Sequence, residues 1–148
     1  MKKVLIGGLL CALFLTGCGE KTLTCRGTSD GGTTTPDGDI VEFLWDDEYI
    51  FTFDRFTNKV IKVEEKTDAI LADVSKIDAV EQQINDEYLD FKEMGMNIDI
   101  SKNSNRINIK VSYEVDALAD ELKEEITYIK QNYEELKKLF EEDGYTCK

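Results

Sequence analysis

Five apolar residues at every second position, Ile107, Ile109, Val111, Tyr113 and Val115, mark a strand with one buried and one wet face, and this period of two limits the fold most. The pattern recurs. Met96, Ile98 and Ile100 alternate ahead of Lys102-Asn103-Ser104-Asn105, so residues 96–115 read as a hairpin. Tyr49, Phe51 and Phe53 alternate before Arg55-Phe56-Thr57-Asn58, and Val60, Ile61 and Val63 follow, which makes Glu48 to Thr67 a second hairpin. Between the hairpins the period lengthens: Ile70, Val74, Ile77, Val80, Ile84, Tyr88 and Phe91 step by three or four, predicting a helix that stops near Gly95. Leu118, Leu122, Ile126, Ile129, Tyr133, Leu136 and Phe140 again hold helical spacing. Asn132 with Glu135 three residues later resembles a capping box, so the spacing predicts a break there, and Gly144 ends the last helix. Thr28 to Asp39 is small, polar and broken by three glycines and the only proline, which predicts a loop, and Asp46-Asp47 predicts a turn after the apolar run Ile40 to Trp45. The sum is an α+β fold: a mostly antiparallel sheet of five or six strands with two or three helices packed on one face.

The first residues follow a different logic. Lys2 and Lys3 precede an apolar run from Val4 to Leu15. As a helix this run reaches only about 18 Å at about 1.5 Å per residue, short of the ~30 Å hydrocarbon thickness of a bilayer, so it reads as a signal peptide and not a finished span. Leu15-Thr16-Gly17-Cys18 resembles the bacterial lipobox. That resemblance implies cleavage before Cys18, acylation of the Cys18 sulfur, and a chain held to the membrane on its extracytoplasmic face. The expected division is a leader over 1–17, a lipidated tether over 18–21 and one domain over 22–148.

With Cys18 acylated, Cys25 and Cys147 remain at the two ends of the domain. An even pair in an exported chain reads as a disulfide, and the short strand-like contexts Thr22-Leu23-Thr24-Cys25 and Tyr145-Thr146-Cys147-Lys148 suggest neighbouring strands. The alternative, a redox-active pair, lacks the Cys-x-x-Cys spacing that lowers a thiol pKa.

Composition then removes chemistry. The 148 residues include no His, which excludes Ser/His and Cys/His catalysis and imidazole ligation of metals. The net charge is −13, and loss of the leader leaves 16 basic against 31 acidic residues, a net −15, which repels nucleic acid. No phosphate-binding loop, dinucleotide fingerprint or nucleophile elbow is present, so no cofactor is implied. Asp37 and Asp39, with Asp46, Asp47 and Glu48, are weak candidates for calcium, which takes six to eight oxygens. Paired carboxylates also run glycoside hydrolysis when they face each other across a cleft. Trp45 and Phe56, placed at the two expected turns, are candidate partner contacts, while such aromatics more often pack in a core.

The lipobox, the Thr-Leu-Thr-Cys start, the hairpin from Phe51-Thr52-Phe53-Asp54 to Lys59-Val60-Ile61-Lys62-Val63, and the ending from Tyr133-Glu134-Glu135-Leu136-Lys137-Lys138 to Gly144-Tyr145-Thr146-Cys147-Lys148 together resemble the YehR-type small bacterial lipoproteins. The family carries no assigned activity, so the resemblance implies an address and a layout and no catalytic residue. The chain departs from it in Thr28 to Asp39 and Asp116 to Lys130. Two functional expectations stand: a noncatalytic, lipid-anchored domain that binds an envelope protein or a small ligand, and an envelope hydrolase that uses paired carboxylates.

Overall fold

The computed structural model describes residues 20–35 and 37–148; the leader, the tether's Cys18 with its lipobox, and Pro36 lie outside the described residues. Three long strands come first: β1 (Lys21–Thr34), β2 (Ile40–Phe53) and β3 (Val60–Leu71). Helix α1 (Ile77–Glu93) leads to the hairpin of β4 (Asn97–Asn103) and β5 (Arg106–Glu114), then to α2 (Asp120–Glu125), α3 (Tyr133–Glu142) and the short β6 (Thr146–Cys147). The six strands form one antiparallel sheet in the order β4-β5-β3-β2-β1-β6, and the fold is α+β. None of the described helices is long and apolar enough to cross a membrane.

Strand β2 sets the register. Val41, Phe43, Trp45, Asp47, Tyr49, Phe51 and Phe53 all point to the face that carries the buried core, and the residues between them point the other way. Two sequence expectations fail here. Asp46-Asp47 makes no turn, because the backbone pairs without interruption with β1 on one side and β3 on the other. Residues 28–34 are strand and not loop, since β1 pairs with β2 as far as Thr34↔Ile40, and only Thr35–Asp39 turns the chain. Of the glycines that suggested a loop, Gly31 is a socket, where a Cβ would collide with the Trp45 indole; Gly27, just ahead of that stretch, is another, with a Cβ standing 2.7 Å from the Tyr145 ring.

A third correction concerns the first helix. Ile70 and Leu71 belong to β3, and Val74 to a 3-10 turn over Val74–Lys76 that Asp73 caps through the Ser75 amide at 3.0 Å. Helical spacing of Ile70 and Val74 was a coincidence of two strand and turn positions ahead of a helix that starts at Ile77. Its Val80 and Ile84 are buried, and Ile77, Tyr88 and Phe91 pack against the core. The predicted break before α3 is present as a complete capping box: the Asn132 side chain accepts from the Glu134 and Glu135 amides, and Glu135 accepts from the Asn132 amide. Helix α1 lies over β4 and β5, and α3 over β1 and β6.

The ends meet as the cysteines required. Cys25 stands directly opposite Cys147 in the β1–β6 register and is bonded to it, with Thr24 and Lys148 exchanging two backbone hydrogen bonds of 2.9 Å. Both sulfurs are buried. A link across 122 positions restricts the unfolded chain by about 4.7 kcal/mol in the loop-entropy account. Cys25→Ser and Cys147→Ser are each expected to lower the melting temperature in nonreducing buffer by similar amounts. A melting curve unchanged from the parent in either variant counts against a stabilising bridge.

Candidate functional site

Across the middle of the core face the sheet turns polar. Asp47 on β2 stands opposite Thr67 on β3, and Tyr49 stands opposite Glu65. Asp47 and Thr67 are only 7% and 5% exposed, and Glu65 is half-buried. The Thr67 hydroxyl lies 2.7 Å from Asp47 Oδ1 and 3.2 Å from Glu65 Oε1; Tyr145 donates to Asp47 Oδ2 at 3.1 Å and Tyr49 to Glu65 Oε1 at 3.3 Å. One hydroxyl carries one hydrogen, so Thr67 is able to donate to a single carboxylate. The shorter contact assigns that hydrogen to Asp47. Burial pushes the Glu65 carboxyl above its ordinary range, the Asp47 charge adds to the effect, and the bonds from Thr67 and Tyr49 oppose it.

Beside this pair a cleft of about 280 Å³ opens between α1, β5 and the α2 region. Glu65 lines it together with the rings of Tyr88, Phe91, Tyr113 and Tyr128, and Glu125 stands at its edge. The Tyr113 and Tyr128 hydroxyls bond each other at 2.6 Å. Burial pushes Tyr88 and Tyr128 up to about 12 and Tyr113 beyond the ordinary phenol range, so these hydroxyls keep their protons at physiological pH.

The opposite face of the sheet carries charges in cross-strand rows. Glu48 pairs with Arg26 on β1 and with Lys66 on β3 at 3.0 Å, and these bonds, Lys66 first, hold its carboxyl below the usual range. Asp68 pairs with Arg106 at 3.1 Å. A groove of about 500 Å³ runs over this face, and the paired Arg26, Glu48 and Lys66 are among the residues that line it.

The residues singled out from sequence are dispersed. Cys18 lies outside the described residues, and Cys25 and Cys147 form the bridge. Trp45 is mid-strand and not at a turn, half-buried and edge-on to Phe43 at 4.6 Å. Phe56 projects from the β2–β3 turn with 94% of its surface exposed. Asp37 is exposed, and Asp39 pairs with Lys76. Asp46 and Glu48 face away from Asp47, so the three do not converge, and among the described residues no group of three or more metal-binding side chains forms a cage. Sequence reasoning passed over Glu65, Thr67 and the tyrosines. The available signal was the inward series Val63, Glu65, Thr67, Ala69, in which a charged residue occupies a core position.

Comparison with known proteins adds nothing to this geometry: no protein-family model matches the chain, and neither does a curated protein or a solved structure.

Two outcomes follow from the polar pair. Thr67→Val keeps the shape and removes a buried donor from Asp47, and is expected to destabilise the fold by about 1–3 kcal/mol in urea unfolding. An unchanged midpoint would show that the Asp47 bond contributes nothing. For Glu65 the folded chain holds its proton more tightly than the unfolded chain, so its contribution is full below the ordinary carboxyl range and is lost as pH rises through the folded-state value. Glu65→Gln is expected to melt with the parent near pH ~4 and above it at pH ~8; a difference that does not change with pH refutes the raised carboxyl.

Proposed function

We propose that the mature chain is a noncatalytic domain, anchored by lipid on Cys18 to the extracytoplasmic face of a bacterial membrane, that binds a ligand in the cleft between α1 and the α2 region. The cleft carries this reading: its walls are rings and apolar side chains, and a single half-buried carboxyl stands on its floor, the usual composition of a binding pocket. The leader, the Leu15–Cys18 sequence and the likeness to YehR-type lipoproteins support the address. The acidic surface disfavours nucleic acid as the partner.

The hydrolase reading has one observation in its favour, the meeting of Asp47 and Glu65. Glycoside hydrolysis needs two carboxyl groups on either side of the scissile bond, about 5–9.5 Å apart, each with an oxygen free for the substrate. Here Thr67 joins them side by side, and both oxygens of Asp47 accept hydrogen bonds from within the domain. Binding is the better account of the pair.

Fractionation and mass spectrometry test the address. The parent is expected in the detergent-extracted membrane with an acylated Cys18 as its first residue, and Cys18→Ala in the soluble extract. An unmodified amino terminus in protein recovered from membranes removes the anchor. Against a panel of fluorogenic glycosides, turnover that Asp47→Asn and Glu65→Gln each abolish would replace the binding reading with the hydrolase one, and turnover no higher in the parent than in the variants supports binding.

A further inference from the structure

On the reading of the chain as a binding domain, we propose that the α1–α2 cleft takes a small organic cation: an ammonium head on a short apolar body. Four aromatic rings, Tyr88, Phe91, Tyr113 and Tyr128, line it, and the only charged groups on its walls are Glu65 and Glu125. No lysine or arginine lines the cleft, so it holds nothing to neutralise an anion, and two carboxyl groups repel one. Ring faces attract cations through their quadrupole, most strongly where water is excluded. The hydroxyls of Tyr113 and Tyr128 bond each other, which occupies one of their two hydrogens and leaves a single phenol donor on these walls beside the ring surfaces.

Glu65 supplies the orienting charge. The Tyr49 hydroxyl donates to Oε1 and the Thr67 hydroxyl also lies against Oε1, while among the described residues Oε2 has no hydrogen-bond partner. A half-buried carboxyl that is reluctant to ionise in the empty cleft gains its counter-charge when an ammonium group arrives, so binding and deprotonation of Glu65 are linked. A bare metal ion fits poorly, because hard cations need six or more oxygens and most of this wall is apolar. The volume, about 280 Å³, sits at the lower end of ligand pockets and suits a compact molecule. The same chemistry is shared by a free amine or quaternary ammonium compound and by the headgroup of a choline lipid.

The test uses the full chain in digitonin micelles, whose bulky steroid body is too large for the cleft. Titration calorimetry and amide chemical shifts follow three probes of similar size: butyltrimethylammonium, pentanol and pentanoate. Butyltrimethylammonium is expected to bind saturably, with shifts centred on Tyr88, Phe91 and Tyr128, and about tenfold more weakly to Glu65→Gln and to Phe91→Ala. Measured at steps between pH ~4 and ~8, its binding heat should vary with the ionisation enthalpy of the buffer wherever binding releases the Glu65 proton, and this variation should vanish in Glu65→Gln. Monomeric dihexanoyl phosphatidylcholine distinguishes the sources: tighter binding than butyltrimethylammonium supports a lipid headgroup, and equal or weaker binding supports a free ammonium compound. Equal affinity of parent and Glu65→Gln for the cation overturns the proposal, with melting of both proteins confirming that they are folded. Pentanol or pentanoate binding in the cleft as tightly as the cation overturns the ligand class and leaves the binding domain standing. Shifts from no probe overturn both.

Discussion

The unbroken alternation of β2 is the constraint on which the rest depends. Its fourteen residues pair with β1 along their whole length and with β3 from Phe43 to Phe53, so the phase of one strand fixes what the entire sheet presents on each side. A slip of one position would exchange Asp47 for Asp46 or Glu48 and carry the Phe43, Phe51 and Phe53 rings to the wet face. Those rings belong to the buried core, and the cost of exposing them, about 1.5–3 kcal/mol each, makes the slip unaffordable. The phase therefore decides where the two carboxyl groups stand, and Asp47 and Glu65 are brought together by hydrophobic burial elsewhere on the same strands.

The C-terminus locks that arrangement from the other side. Cys147 is joined to Cys25, Cys25 is opposite Tyr49, and Tyr49 is opposite Glu65, so the disulfide and the cleft carboxyl lie on one row across the sheet. Tyr145 rests over Gly27, donates to Asp47, and packs edge-on to Phe140 at 5.1 Å. Phe140 in turn meets Tyr49 and Phe51 at 5.1 and 5.2 Å. Tyr145 and the β6 residue Cys147 thus carry a covalent link, a hydrogen bond to a buried acid and aromatic contacts to α3. Loss of the bridge releases more than the chain end: it loosens the donor that keeps Asp47 satisfied.

What was legible in the sequence was local chemistry with a fixed spacing. The Asn132–Glu135 box, the turns at Arg55–Asn58 and Lys102–Asn105, and the glycines at positive φ after α1 and α3, Gly95 and Gly144, each act within a few residues, so their signals survive in the one-dimensional order. The cysteine pair was legible for another reason, because residues 22–148 hold only two cysteines and each has a single possible partner there. Residues 28–34 were misread because the space beside Gly31 is filled by the Trp45 indole, which stands on the neighbouring strand and not in the local sequence. Asp46-Asp47 was misread because a buried acid is rare, and the groups that make this one tolerable, Thr67 and Tyr145, are 20 and 98 positions away. Glu65 was missed on the same ground: its role exists only once β3 is registered on β2 and α1 has been laid beside β5.

Asp47 and Glu65 differ in what surrounds their second oxygen, and that difference separates scaffold from site. Asp47 has a donor on each oxygen, so its charge is matched within the domain and gains nothing from a ligand. Glu65 receives the Tyr49 hydroxyl on Oε1 and lines a cleft of aromatic rings, where an ionised carboxylate is poorly solvated. A sheet built for stability alone would place valine there, as β3 does two residues earlier at Val63. On the proposed reading, an ammonium ligand beside Glu65 would offset the cost of ionising it in the empty cleft, and the stability the empty cleft forgoes would return as affinity.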